Sequence, residues 1–175
     1  MRVREITPGP DCDALLAGAQ FADAYTVPID DRTLDARQAA ERMFARNPAW
    51  LDSLLRLRNI LVMPFGLKTS AENEPSNGGM IGLFPVRSET SDRLVVGFDD
   101  RHLDFRVVVD VARGEQVTAT TVVKTHNLLG RVYLAVVLPF HRLIVRNMLQ
   151  RAFLQPFIEP VFRDAPESTG LTRRN

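Results

Sequence analysis

The chain has 175 residues, 22 Lys and Arg against 21 Asp and Glu, and one cysteine. That length suits one domain burying roughly 70% of the surface its unfolded chain exposes, and the near-neutral charge gives no pull toward nucleic acid or an acidic partner. A lone cysteine, Cys12, excludes an internal disulfide.

Residues 1–13 are charged and carry Pro8 and Pro10 without an apolar run that could serve as a secretory signal, so a cytoplasmic location is the expectation. The organisation expected is an irregular segment over 1–17, one domain over 18–160 and a polar, mobile tail over 161–175. In residues 19–28, Phe21, Tyr25 and Val27 suggest a first strand, closed by Pro28 and the pair Asp30 and Asp31. Thr33 can cap a helix over 34–45, with Gln38 three residues after Asp35 as a partial capping box. Asn47 and Pro48 make a stronger start signal, for a second helix over 48–62 whose apolar side carries Trp50, Leu51, Leu54, Leu55, Leu57 and Leu61. Residues 63–79 lose periodicity, and loops of that length are commonly functional or mobile. Lys68, Thr69 and Ser70 lie there without the glycine spacing of a phosphate loop, so a solvated loop or pocket lid is the better reading.

From Met80 the pattern becomes an antiparallel meander, and register matters because a one-residue slip turns every side chain to the wrong face. A two-residue turn at Asp100 and Arg101 sets Phe98 against Leu103, Val96 against Phe105 and Leu94 against Val107. A three-residue loop at Arg113, Gly114 and Glu115 sets Val111 against Val117, Val109 against Ala119, Val107 against Thr121 and Phe105 against Val123. A loop over 90–92 sets Phe84 against Phe98, Val86 against Val96 and Glu89 against Arg93. All three hairpins give one apolar face and one face carrying Arg87, Glu89, Arg93, Asp99, His102, Asp104, Arg106, Lys124 and His126. Pro85 points to an edge or a bulge.

The last long element is a helix over 130–154, with Leu134, Val137, Leu138, Val145, Met148, Leu149, Ala152 and Phe153 at helical spacing on one side. Pro139 predicts a kink near Ala135, or two helices meeting there. The apolar run 132–138 is about a third of the roughly twenty residues a bilayer span needs, and His141 and Arg142 end it, so no membrane span is expected.

The words Arg58-Asn59-Ile60-Leu61-Val62, Phe65-Gly66-Leu67-Lys68-Thr69, Asp99-Asp100-Arg101-His102-Leu103-Asp104-Phe105-Arg106, Thr125-His126-Asn127 and Pro139-Phe140-His141-Arg142-Leu143-Ile144-Val145 resemble an uncharacterised bacterial domain-of-unknown-function family, the one numbered 2867. The likeness covers about 19–153 and carries over no catalytic residue or substrate. The order of elements resembles the helix-grip fold of START-like (SRPBCC) proteins. That likeness implies an α+β domain in which an antiparallel sheet packs on a long kinked carboxy-terminal helix, with two helices inserted after the first strand, around a cavity for an apolar or amphipathic molecule.

The expected cavity residues are Val96, Phe98, Phe105, Val107, Thr121, Val123, Thr125, Tyr133, Leu138 and His141, with Leu94 lining or filling the same space. His141 is the candidate acid or base, though a hydrogen-bonded core histidine is the commoner role for such a residue. His102, His126, Asp99 and Asp104 fall in one patch that could hold a divalent metal, with a solvated ion-pair network as the better expectation. No cofactor is implied. The favoured function is binding of a hydrophobic or amphipathic small molecule. The alternatives are a polyketide-cyclase-like or isomerase-like enzyme, or an interaction module, including a homodimer, working through the charged strand face.

Overall fold

The structure is a computed structural model and describes residues 2–45, 79–82 and 84–154. The helix expected over 48–62, the loop holding Lys68, Thr69 and Ser70, and the tail over 161–175 lie outside the described residues. In chain order the elements are β1 (Arg4–Ile6), α1 (Cys12–Leu15), β2 (Phe21–Pro28), α2 (Ala36–Phe44), β3 (Met80–Ile81), β4 (Phe84–Glu89), β5 (Arg93–Asp99), β6 (Leu103–Ala112), β7 (Gln116–Thr125) and α3 (Leu128–Phe153). The fold is α+β, with an antiparallel sheet in the order β1-β2-β7-β6-β5-β4-β3 among the described residues.

The β6–β7 hairpin follows the alternation residue for residue: Phe105 faces Val123, Val107 faces Thr121, Val109 faces Ala119 and Val111 faces Val117. Its three-residue loop needs left-handed backbone at Arg113 and Gly114, and a Cβ on Gly114 would stand 2.4 Å from the Cα of Arg32, so only glycine fits there. The β5–β6 hairpin differs from expectation by two residues, since Phe98 faces Phe105, Val96 faces Val107 and Leu94 faces Val109. The turn is longer than Asp100 and Arg101. The backbone N–H of Asp100 donates to the carbonyl of Leu103 and, at 3.3 Å, to the Asp104 carboxylate, which stabilises the wider loop. An even slip leaves each side chain on its expected face. On β4, Val86 faces Val96 as expected, but the register shifts before Ser88, so Glu89 faces Leu94 and not Arg93. That irregularity follows Pro85, which cannot donate to the ladder.

The inward face of the sheet packs on α2 and α3 around Tyr25, Val27, Leu94, Val96, Val109, Val117 and Leu149, all fully buried. The cap of α2 is Asp35, whose carboxylate accepts from the Gln38 backbone N–H at 2.7 Å; Thr33 instead donates its hydroxyl to Asp31. α3 runs as one helix through Pro139, without the break into two helices that proline allowed. Pro139 and Ala135 both lie on the exposed side, so the carbonyl that loses its partner faces water.

The amino-terminal segment, expected to be irregular, carries β1 and α1 and crosses the outward face of the sheet. Ile6, Gly9, Asp11 and Leu15 border a polar cleft there with Ala24, Val108 and Thr120. Three outward valines, Val95, Val108 and Val122, are buried on that face.

Candidate functional site

Between the inward sheet face and α3 lies a cavity of about 170 Å³. β2 contributes Phe21, the central strands Phe98, Phe105, Val107, Thr121 and Val123, and α2 Met43 and Phe44. α3 contributes Tyr133, Leu134, Val137, Leu138, His141, Val145 and Met148, residues three, four or seven apart that share one helical side. Eight of the expected cavity residues therefore line it: Phe98, Phe105, Val107, Thr121, Val123, Tyr133, Leu138 and His141. Two do not. Val96 and the neighbouring Leu94 are fully buried in packed core, and Thr125 spends its hydroxyl and backbone N–H on the side-chain oxygen of Gln20, at 3.1 and 2.6 Å.

The aromatic wall is continuous. Phe84 packs against Phe44, Phe98 and Phe105, with ring centroids 5.5 to 6.3 Å apart. At the other end, Phe21 meets the His141 ring edge-on at 5.8 Å.

His141 does not stand alone. Its Nε2 lies 3.1 Å from a carboxylate oxygen of Asp23, a side chain only 6% exposed. Asp23 sits on β2 opposite Thr121, and the helix carries His141 over it. A carboxylate only accepts, so Nε2 is the donor in this pair. The second Asp23 oxygen is buried without a hydrogen-bond partner among the described residues, and so is the hydroxyl of Tyr25, two residues along the same strand face. Burial, and then the negative charge of Asp23, holds the Tyr25 phenol above its ordinary range, so it stays neutral. The guanidinium of Arg146 stacks 5.5 Å over the Tyr25 ring.

Asp23 was the residue to find in the sequence. It falls on the period of Phe21, Tyr25 and Val27, and an acid at an inward strand position demands a partner.

The four metal candidates do not converge on one point. His126 pairs with Asp104 at 2.9 Å, His102 Nδ1 meets the Asn127 side chain at 2.8 Å, and Asp99 receives Arg87 and Arg106. Among the described residues no cluster of His, Cys, Asp or Glu is arranged for a metal. Asn127 explains the position of His102: it caps α3 by accepting from the Gly130 backbone N–H at 3.0 Å while donating to the Arg101 carbonyl. A Cβ on Gly130 would stand 2.0 Å from the His102 carbonyl oxygen, so glycine lets the helix start this close to the sheet. Other charges of that face are paired too. Arg93 grips Asp110 through two bonds, of 2.6 and 3.1 Å, and reaches Asp11. Glu89, expected on this face, is turned by the one-residue register shift to the inward side beside Leu94, where Arg37 of α2 holds it.

These features define a class: an antiparallel sheet closed by a carboxy-terminal helix over an apolar cavity, with an imidazole in its wall that is paired to a buried acid. The chain belongs to the family described as Protein of unknown function (DUF2867), whose model matches residues 15–148. No curated protein and no solved structure matches the chain.

Proposed function

We propose that this protein binds a hydrophobic or amphipathic small molecule between the sheet and α3, its apolar body against Phe98, Phe105 and Val107 and its polar end toward His141. The cavity is the observation that carries this reading. Interiors normally close up to crystal-like density, and here about 170 Å³ stays open beside aromatic rings. A cavity of roughly 150 Å³ accommodates a benzene-sized guest, so the enclosed part of the ligand is about one ring or a short branched chain. Thr121, Tyr133 and His141 are the polar groups in reach of it. The helix-grip resemblance implies the same kind of cargo.

The test is native mass spectrometry of freshly purified protein, followed by organic extraction. A defined apolar adduct is expected, and it should be lost in Val107→Phe, which fills the space. An apo mass together with no measurable uptake of small apolar probes would refute the reading.

The Asp23–His141 pair favours a second reading, acid–base catalysis of the cyclase or isomerase kind, with His141 Nδ1 taking a proton from the bound molecule. A carboxylate behind an imidazole fixes its tautomer and stabilises the imidazolium that forms. On this reading His141→Gln abolishes turnover of the extracted ligand class while binding persists. Asp23→Asn should lower turnover strongly, because the amide can donate to Nε2 and move the ring proton to Nδ1. Turnover unchanged in both variants would leave binding alone.

A further inference from the structure

We propose that the outward side of α3 seats the protein on an anionic membrane surface. Leu128, Val132, Val136, Phe140 and Leu143 are 74, 50, 44, 55 and 61% exposed, and their spacing of four, four, four and three puts them on one side of the helix, away from the cavity. Elsewhere among the described residues the exposed large apolar side chains are Ile6 and Met80. The stripe covers sixteen residues, about 24 Å of helix. By length and composition α3 is apolar enough to cross a bilayer, yet few of its residues are buried. A helix apolar all round requires cover on every side, and the sheet covers only one.

Charge selects the occupant. α3 holds four arginines and no acid. Arg146 is engaged by Glu5 at 3.6 Å and by the Tyr25 ring. Arg131, Arg142 and Arg151 are exposed and have no acidic partner among the described residues. Arginines bordering an apolar stripe match phosphate headgroups above acyl chains. A second copy packed stripe to stripe would bring the same unneutralised arginines together, with no acid on either helix to answer them. A span is disfavoured on two counts. Arg142 lies near the middle of the helix, where charge is most costly in a bilayer, and the inward side is already committed through Val145, Leu149 and the His141–Asp23 bond. The helix therefore lies in the plane of the interface.

The experiment is flotation of the full chain with vesicles of phosphatidylcholine alone and with phosphatidylglycerol added, at low and high salt, beside sizing by light scattering. Binding to the mixed vesicles that weakens with salt is expected. It should be lost in Phe140→Asp and Leu143→Asp with circular dichroism unchanged, and weakened about fivefold in Arg142→Gln. Equal binding to both vesicle types would overturn the anionic match. A dimer that Phe140→Asp dissolves would make a second copy the occupant. A monomer that ignores vesicles would mean that the chain covers its own stripe. The cavity plays no part in this proposal, and extraction of a bound ligand reports on it separately.

Discussion

The two faces of one sheet solve opposite problems here. The inward face is built from Leu, Val and Phe under two helices, and part of it is left unfilled around Phe98, Phe105 and Val107. The outward face carries most of the charges, yet almost every one is matched: Arg87 and Arg106 with Asp99, Asp104 with His126, Arg93 with Asp110 and Asp11. Stability comes from where apolar area leaves water, and the unfilled space lies on the same side. Room for a guest is therefore found where packing holds the fold, and the face that looks chemically active closes on itself.

The largest break in this comparison is Leu149→Ala. Leu149 is fully buried where α3 meets the core. Its truncation should lower the unfolding free energy by about 2–5 kcal/mol in urea titrations with an unchanged slope. A loss below about 1 kcal/mol would show that α3 is not a structural part of the inward core.

Much of this contrast was legible in the residues. Alternation and a three-residue turn together specified the β6–β7 pairing, because any odd slip would have buried Lys124 and exposed Val123. The β5–β6 register escaped because a slip of two costs nothing in face assignment, and loop length there depends on a bond from the Asp100 backbone to a side chain four residues on. Glu89 was displaced by an irregularity that Pro85 foreshadowed without locating. Asp23 was readable on its strand's period. His141 as its partner was not, because that contact joins residues 118 positions apart and depends on how the helix lies across the sheet. The amino-terminal strand and one-turn helix are too short for any period to reveal.

Val108→Ala probes the outward face at one of its most buried points. Val108 is 1% exposed, beside the cleft bordered by the amino-terminal segment. Losing two methyl groups should cost about 1–2 kcal/mol by the same titration. A value equal to that of Leu149→Ala would make the outward face a second full core. No measurable cost would mean that the amino-terminal segment contributes nothing to folding.

Tyr25→Phe sharpens the comparison from inside. The Tyr25 hydroxyl is buried without a partner among the described residues, so removing it relieves a desolvation cost and breaks no hydrogen bond. Thermal unfolding should be unchanged or slightly raised. A loss above about 1 kcal/mol would reveal a hydrogen bond to that hydroxyl, for which a bound polar group would be the first candidate.

The smallest effect tests an ion pair at the rim of the inward side against the apolar core beside it. The side-chain hydrogen bond from Arg37 holds Glu89 below its ordinary value of 4.5. A carboxylate whose folded value is depressed adds stability that is present above the unfolded value and lost as pH falls through the folded one. Glu89→Gln should therefore be slightly less stable than the parent at neutral pH, and the difference should shrink as pH falls below 4.5 and vanish once the folded-state glutamate is protonated as well. The pair is solvent-accessible, so added salt should shrink the difference at neutral pH too. The Leu149→Ala deficit involves no charge and should persist at the same acid pH. If the two deficits instead fell away together on acidification, the inward core would be held by titrating groups after all, and the division between a packed face and an electrostatically matched one would fail.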